Sequence, residues 1–297
     1  MDLKQIEYFV RVAELGSFTQ ASVTLDVAQS ALSRHVRLLE TELRQNLLIR
    51  NGRGVTPTEA GKILLEHGRG VLHQVDRLRE ELARERGGLV GKVALGLPPG
   101  LSKVLTVPLM RVFREAMPDA VLSIREGLSL SMLDDLNTGR LDVALLYDAA
   151  PFPDIELQPV ITQALYLVQS RHHAPIVGPI SLSEVAELPL IIPSRPNVIR
   201  MHLETELANL GLRPNIGMEV DAISAILELI VEGVGNGILP TSSVHAFGRA
   251  ERYNLRPIKE PRLLTRLSSA VSTHRPMTQV QRNLLKLVES KVRELVN

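Results

Sequence analysis

Between Thr58 and Glu85 no proline interrupts the chain, and Leu64, Gly68, Val71, Val75, Leu78 and Leu82 recur at alternating spacings of four and three. That pattern predicts one long helix with a coiled-coil seam. Gly87-Gly88 ends it and supplies a hinge. Such a helix divides the chain into a short segment before it, 1–58, and a long one after it, 89–297, with 59–88 as linker. At 297 residues the chain also exceeds the usual size of a single core, so separate units are expected. With 44% apolar and 23% charged residues, each unit can bury a core.

The first sixty residues carry three helical patterns. Leu3, Ile6, Phe9, Val10 and Ala13 fall at helical spacing and stop at Leu15-Gly16. Ser17-Phe18-Thr19-Gln20 reads as a capping box in which the serine hydroxyl accepts from the amide of Gln20 and the glutamine side chain reaches back. A short second helix runs to Leu25, and Asp26-Val27-Ala28 leaves room only for a tight turn. The third helix, from about Gln29 to Leu43, separates two faces: Leu32, Val36, Leu39 and Leu43 make a buried stripe, while Gln29, Ser30, Ser33, Arg34 and Arg37 share another side. A major-groove reader needs such a side, because arginine forks onto guanine, glutamine pairs with adenine, and serine serves a base or a phosphate. In isolation an ordinary solvated face looks the same.

The surroundings of that helix favour DNA. Two short helices precede it at helix-turn-helix spacing, and Arg50-Asn51-Gly52-Arg53-Gly54 follows as a basic hairpin wing, so Arg50 and Arg53 could reach phosphates or the minor groove. The whole chain has a net charge of only +1, whereas Ala28 to Gly54 holds five arginines against two glutamates. Any nucleic-acid site is therefore local, and this is where it lies. A two-fold operator needs two recognition helices about one DNA turn apart, which favours pairing of the long helix through Leu64, Val71, Val75, Leu78 and Leu82 over packing on its own domain.

Phe18-Thr19-Gln20-Ala21-Ser22, Ala28 to Arg34, Leu38 to Leu43, Leu48-Ile49-Arg50 and Gly54 to Gly61 together resemble the signature of the LysR-type transcriptional regulators. Within that family the chain is most similar to nitrogen assimilation control proteins, through Leu47 to Arg50 and Arg53 to Leu64. It departs from the family pattern at Ser30, where proline is usual, and at Ala28, where serine is common; both changes should weaken the definition of the helix start. The resemblance implies an α+β multidomain protein: an N-terminal winged helix-turn-helix, a coiled-coil linker helix that pairs across a dimer, and an α/β effector domain of two subdomains built like a periplasmic binding protein. Subdomain I would take about 91–161 and 266–297, and subdomain II about 162–265.

The residues of the long segment agree with that outline. Strand patterns at Val93–Gly96, Val121–Arg125 and Asp142–Tyr147 alternate with helical ones, and a second alternating set runs from Leu190 to Pro240, which predicts mostly parallel sheets. Ligands of such sheets bind beyond the carboxyl ends of the strands. That rule points to Pro99, Gly100, Leu101 and Ser102 after the first strand and to Ser194, Arg195 and Asn197 in the second half, with Ser129, Tyr147 and Ile223 completing a wall. Both loops lead into helices whose free amides suit an anion such as a carboxylate. The first loop is unusually apolar, so the effector could equally be apolar, weakly held or absent.

Other chemistry finds no support. The chain has no cysteine, which removes disulfides, thiolate sites and cysteine nucleophiles together. His172-His173 would point to opposite sides of an extended segment, and Gly233 to Gly237 follows a helix where a dinucleotide loop would follow a strand. No catalytic, metal or cofactor site is expected. No apolar run approaches a membrane span, and Met1 to Gln5 lacks the apolar stretch of a secretory signal, so a cytoplasmic protein is expected. The expected partners are double-stranded operator DNA, a second copy in a homodimer or homotetramer, a small-molecule effector, and RNA polymerase. A solute-binding protein would explain only the long segment, and a nucleoid-type DNA-binding protein only the short one.

Overall fold

Asp2 starts the first helix, α1 (Leu3–Leu15): its carboxylate accepts from the Gln5 amide at 2.8 Å, and the Gln5 side chain accepts from the Asp2 amide at 3.0 Å. In this computed structural model, residues 1–51, 54–84, 89, 91–172, 178–247, 250–274 and 276–296 are described. Helix α2 (Phe18–Leu25) begins at Ser17, whose hydroxyl accepts from the Gln20 amide at 3.3 Å. The reciprocal bond from Gln20 does not form, and that side chain is exposed. Asp26, at φ 53°, turns the chain into α3 (Gln29–Leu43). Leu32, Val36 and Leu39 of α3 are buried with Phe9, Val12 and Ala21. Leu43 was expected in that stripe but is 37% exposed, because it is the last helical residue before Arg44 turns left-handed at φ 51°.

Strands β1 (Leu48–Asn51) and β2 (Gly54–Pro57) pair antiparallel, Leu48 opposite Pro57 and Asn51 opposite Gly54. The Glu40 carboxylate anchors their base by accepting from the amides of Leu47 and Leu48, at 2.9 and 3.2 Å. Helix α4 (Glu59–Arg84) then leaves against the same point. Thr58 accepts from the Gly61 amide and donates to the Asn46 carbonyl, and a Cβ at Gly61 would stand 2.0 Å from the Leu47 carbonyl oxygen. Only glycine permits that approach.

The chain divides into two compact units, Met1–Gly88 with Thr138–Arg140, and Leu89–Asn137 with Leu141–Asn297. In order, the second contains β3 (Gly91–Leu97), α5 (Pro99–Ala116), β4 (Ala120–Glu126), α6 (Ser129–Asn137), β5 (Val143–Tyr147), β6 (Ile155–Ser170), β7 (Ile180–Ser181), α7 (Leu182–Glu187), β8 (Leu190–Ile192), α8 (Val198–Asn209) and β9 (Ile216–Glu219). It continues with α9 (Ile223–Val231), β10 (Gly237–Pro240), α10 (Thr241–Ala246), a 3-10 turn (Ala250–Arg252), β11 (Tyr253–Lys259), β12 (Leu264–Ser272) and α11 (Gln279–Leu295). The continuous apolar runs of β5 and β8 are buried throughout, as strands covered on both faces must be.

One sheet runs β4-β3-β5-β12-β6-β11-β7, with β10 also on β6. Strand β6 holds two lobes together: Ile155 to Ala164 pairs with β12, and Leu165 onward pairs with β10 and β11. In the first lobe α5 and α11 pack on one face of the sheet and α6 on the other. In the second, α7 and α8 cover one face while α9 and α10 cover the other. The sheets are mixed where mostly parallel ones were expected. Strand β3 runs parallel to β4 and β5, and β8 to β9, but β12 and β6 run antiparallel to their neighbours because the chain passes between the lobes as strand and not as helix.

Candidate functional site

Burial of Leu32, Val36 and Leu39 fixes which side of α3 faces outward. Gln29, Ser30, Arg34 and Arg37 are exposed there and Ser33 is half-buried, so the expected polar stripe is one continuous surface. Arg34 and Arg37 form no ion pair among the described residues. Ala28 occupies the N-cap without a side-chain bond, as a methyl group must. Other residues steady this helix start: the Thr19 hydroxyl donates to Gln29 Oε1 at 3.3 Å. Arg50 comes from β1, stacks its guanidinium 4.3 Å from the Phe18 ring centroid and donates to Ser33 Oγ at 2.9 Å. It therefore braces the recognition helix while staying exposed. Thr19 and Phe18 lie ten or more residues from these partners, so sequence spacing does not place them on this surface. Arg53 lies outside the described residues.

The long helix presents two faces where one seam was expected. Leu64, with Leu65 and Leu72, packs on the core of its own unit, and the backbone at Gly68 meets Ile6 and Val10. Val71 and Leu78 are exposed at 42% and 57%, and so is Ile63 at 60%. Val75 lines a groove of about 440 Å³ against α1, with Leu3, Val10 and Leu72. The side chain of Leu82 and the Gly87-Gly88 hinge lie outside the described residues, as does His173.

In the second unit a cavity of about 60 Å³ lies between the lobes, and Pro99, Gly100, Ser129, Tyr147, Asn197 and Ile223 reach it as expected. Four expected residues do not. Only Pro98 separates β3 from α5, so Gly100, Leu101 and Ser102 are already helical. Leu101 then turns into the core at 1% exposure, and Ser102 faces a neighbouring groove and approaches Thr106. Ser194 is held by Asp221, and Arg195 turns outward to Glu204, its Nε donating at 3.0 Å. The Ser194 bonds keep the Asp221 carboxyl below its ordinary range.

The polar groups near this cavity largely satisfy one another. Ser129 Oγ bridges the backbone of Tyr147, and the Tyr147 hydroxyl donates to Gln163 Oε1 at 3.2 Å. Burial, with Asp148 beside it, pushes that phenol above its ordinary value. Gln163 in turn donates to Ser242 at 3.2 Å and to the Val296 carbonyl at 2.9 Å. One glutamine on β6 thus joins the first lobe, the second lobe and the end of α11. Sequence reasoning missed Gln163 and Ser243. The hydroxyl of Ser243 lines the cavity at 4% exposure with no hydrogen-bond partner among the described residues.

Comparison with known proteins accounts for both units. Residues 3–62 match the bacterial regulatory helix-turn-helix protein of the lysR family, and residues 86–293 match the LysR substrate binding domain. The chain is 34% identical over 289 residues to the nitrogen assimilation regulatory protein nac of Klebsiella aerogenes, covering 96% of this chain and 94% of that one. Its fold is that of a full-length OxyR variant from Pseudomonas aeruginosa, with a TM-score of 0.77 and 21% identity over 99% and 95% of the two chains. Full-length CbnR in complex with its target DNA is likewise similar, with a TM-score of 0.72 and 23% identity over 98% and 100%. A helix-turn-helix joined to a two-lobed regulatory module, matched over nearly the whole length, makes this chain a member of the LysR family of DNA-binding transcription regulators and not an enzyme.

Proposed function

We propose that residues 1–58 read operator DNA, with Gln29, Ser30, Ser33, Arg34 and Arg37 of α3 facing the major groove and Arg50 and Arg53 at the wing. The observation that carries this reading is the exposed stripe on a helix whose opposite face is buried. Residues 59–88 pair two or four copies through the outward face of α4 at Val71 and Leu78, with Val75 beside it, which sets two recognition helices along one duplex. Residues 89–297 regulate that binding. The similarity to nitrogen assimilation regulators makes genes of nitrogen metabolism the first targets to examine, and contact with RNA polymerase in the cytoplasm the route to transcription.

The cleft supports a specific view of effector control. A cavity of about 60 Å³ has room for one or two waters, far less than the roughly 300 Å³ of the smaller ligand pockets. An effector, a carboxylate included, therefore has to part the lobes. A second reading, regulation with no effector, is favoured by the same small volume and by the internal bonds of Tyr147 and Gln163. Selection of binding sites from a random duplex pool with the full-length protein tests the main reading. A recurring two-fold motif is expected, and a pool left without sequence preference would overturn it.

A further inference from the structure

The two lobes of the second unit meet at Gly100 and Ser243. Gly100 lies buried in the first turn of α5, in the first lobe, and Ser243 lies on α10, in the second, at 4% exposure. A Cβ at Gly100 would stand 2.6 Å from Ser243 Oγ and 3.6 Å from Ser243 Cβ. A side chain at position 100 would therefore push α10 away. One turn further along both helices the contact repeats, with Lys103 Nζ 6.0 Å from the Phe247 ring centroid. Residues three or four apart share a helix face, so Gly100 with Lys103 and Ser243 with Phe247 form one seam.

Gln163 holds α10 at this seam from β6. Its Nε2 donates to Ser242 Oγ at 3.2 Å and to the Val296 carbonyl at 2.9 Å, while its Oε1 accepts from the Tyr147 hydroxyl. A carbonyl can only accept, so the Val296 bond fixes which end of the Gln163 amide faces Ser242. Gln163 and Ser242 are each 8% exposed, out of reach of competing water. Gln163 also stands two residues before Leu165, where β6 leaves β12 for β10 and the chain crosses between the lobes. Because Ser242 and Ser243 are neighbours, separating the lobes withdraws one from Gln163 and the other from Gly100 in a single movement.

We propose that the contact of Gly100 with Ser243 is a latch between the lobes, that Gln163 is the positioning residue that keeps α10 in it, and that the state of this latch sets operator affinity. The proposal rests on the reading that residues 89–297 regulate DNA binding, and it names where the lobes have to part.

The chain has no cysteine, so introduced thiols in the full-length protein report on the latch alone. A thiol at a buried position reacts only when the structure opens there. Maleimide should label Ser243→Cys slowly, and adding Gln163→Leu should speed that labelling about tenfold, the scale of one buried hydrogen bond lost. Labelling of Ala270→Cys, in the core of the first lobe at 1% exposure, should keep its rate when Gln163→Leu is added. An unchanged rate at position 243, or an equal rise at both positions, would overturn the positioning role. In Gly100→Cys/Ser243→Cys the separation of 3.6 Å falls within the roughly 3.5–4.5 Å of a disulfide, so oxidation should close an internal bridge. Failure to form it would overturn the contact. The bridged protein and the wedged variant Gly100→Leu should then differ at least about fivefold in affinity for the duplex selected from a random pool. Equal affinities would contradict regulation by residues 89–297, a failure distinct from that of the latch, which the labelling decides.

Discussion

Gly54 in the wing lies against Gly16 at the end of α1: the Val55 amide donates to the Gly16 carbonyl at 2.8 Å, and a Cβ at Gly54 would stand 2.7 Å from that same oxygen. Gly54 also sits at φ +138°, which side chains rarely adopt. Gly54→Ala should therefore cost on the order of 1 to 3 kcal/mol and weaken operator binding by displacing the wing. Gly178→Ala, with nothing within 4 Å of its added carbon, is the control. Equal thermal stability of the two variants would show that the wing does not depend on this contact.

The two faces of α4 separate folding from assembly. Leu64 packs on its own unit, whereas Leu78 is 57% exposed. Leu64→Ala should destabilise the first unit by about 1 to 3 kcal/mol and leave the oligomer intact. Leu78→Asp should yield monomers in sedimentation with little loss of stability. Monomers from Leu64→Ala, or an unchanged oligomer for Leu78→Asp, would place the pairing face elsewhere.

Tyr147→Phe removes the donor to Gln163 Oε1 and leaves a buried acceptor unpaired, at a cost of about 1 to 3 kcal/mol in urea titrations. The phenol also gives a pH signature. Its folded value is raised, so its contribution is fully present below the ordinary value of 10 and is lost as pH rises above that. Tyr147→Phe should flatten the alkaline limb of the stability curve, and an unchanged limb would count against a buried phenol.

At the acid end the corresponding group is Glu204. Burial alone would raise its pKa, but hydrogen bonds from Arg200 and Arg195 outweigh that and hold the carboxyl below its ordinary value of 4.5. A depressed folded value means stability that is present above 4.5 and lost as pH falls through the folded value. Glu204→Gln should be less stable than the unaltered protein at neutral pH and lose less on acidification. Parallel curves for the two would remove Glu204 from the linkage.

What could be read from the residues depended on how local the signal was. The stripe Leu32, Val36, Leu39 and the cap at Ser17 follow from spacing within one turn or two, and both appear in the structure. Leu43 and Leu101 are apolar residues at helix ends, where exposure depends on the next element and not on periodicity. Strand β6 has no simple sequence pattern because it changes partners midway: its first half is mostly exposed or half-buried, its second mostly buried, and Pro159 interrupts any alternation. Gln163 looks like a solvated residue until Tyr147, Ser242 and Val296 converge on it from 16 to 133 positions away. The cleft walls Ser194 and Arg195 were misplaced for the same reason, since Asp221 and Glu204 draw them off.

The central claim is that α3 reads sequence. Its most direct measurement compares the affinity of the full-length protein and of Arg34→Ala for the selected duplex and for a scrambled duplex of the same composition, at fixed salt. The unaltered protein should prefer the selected duplex strongly, and Arg34→Ala should lose about 1 to 3 kcal/mol on that duplex but little on the scrambled one. Equal losses on both duplexes would make Arg34 a phosphate contact, and no preference in the unaltered protein would contradict sequence reading by this helix.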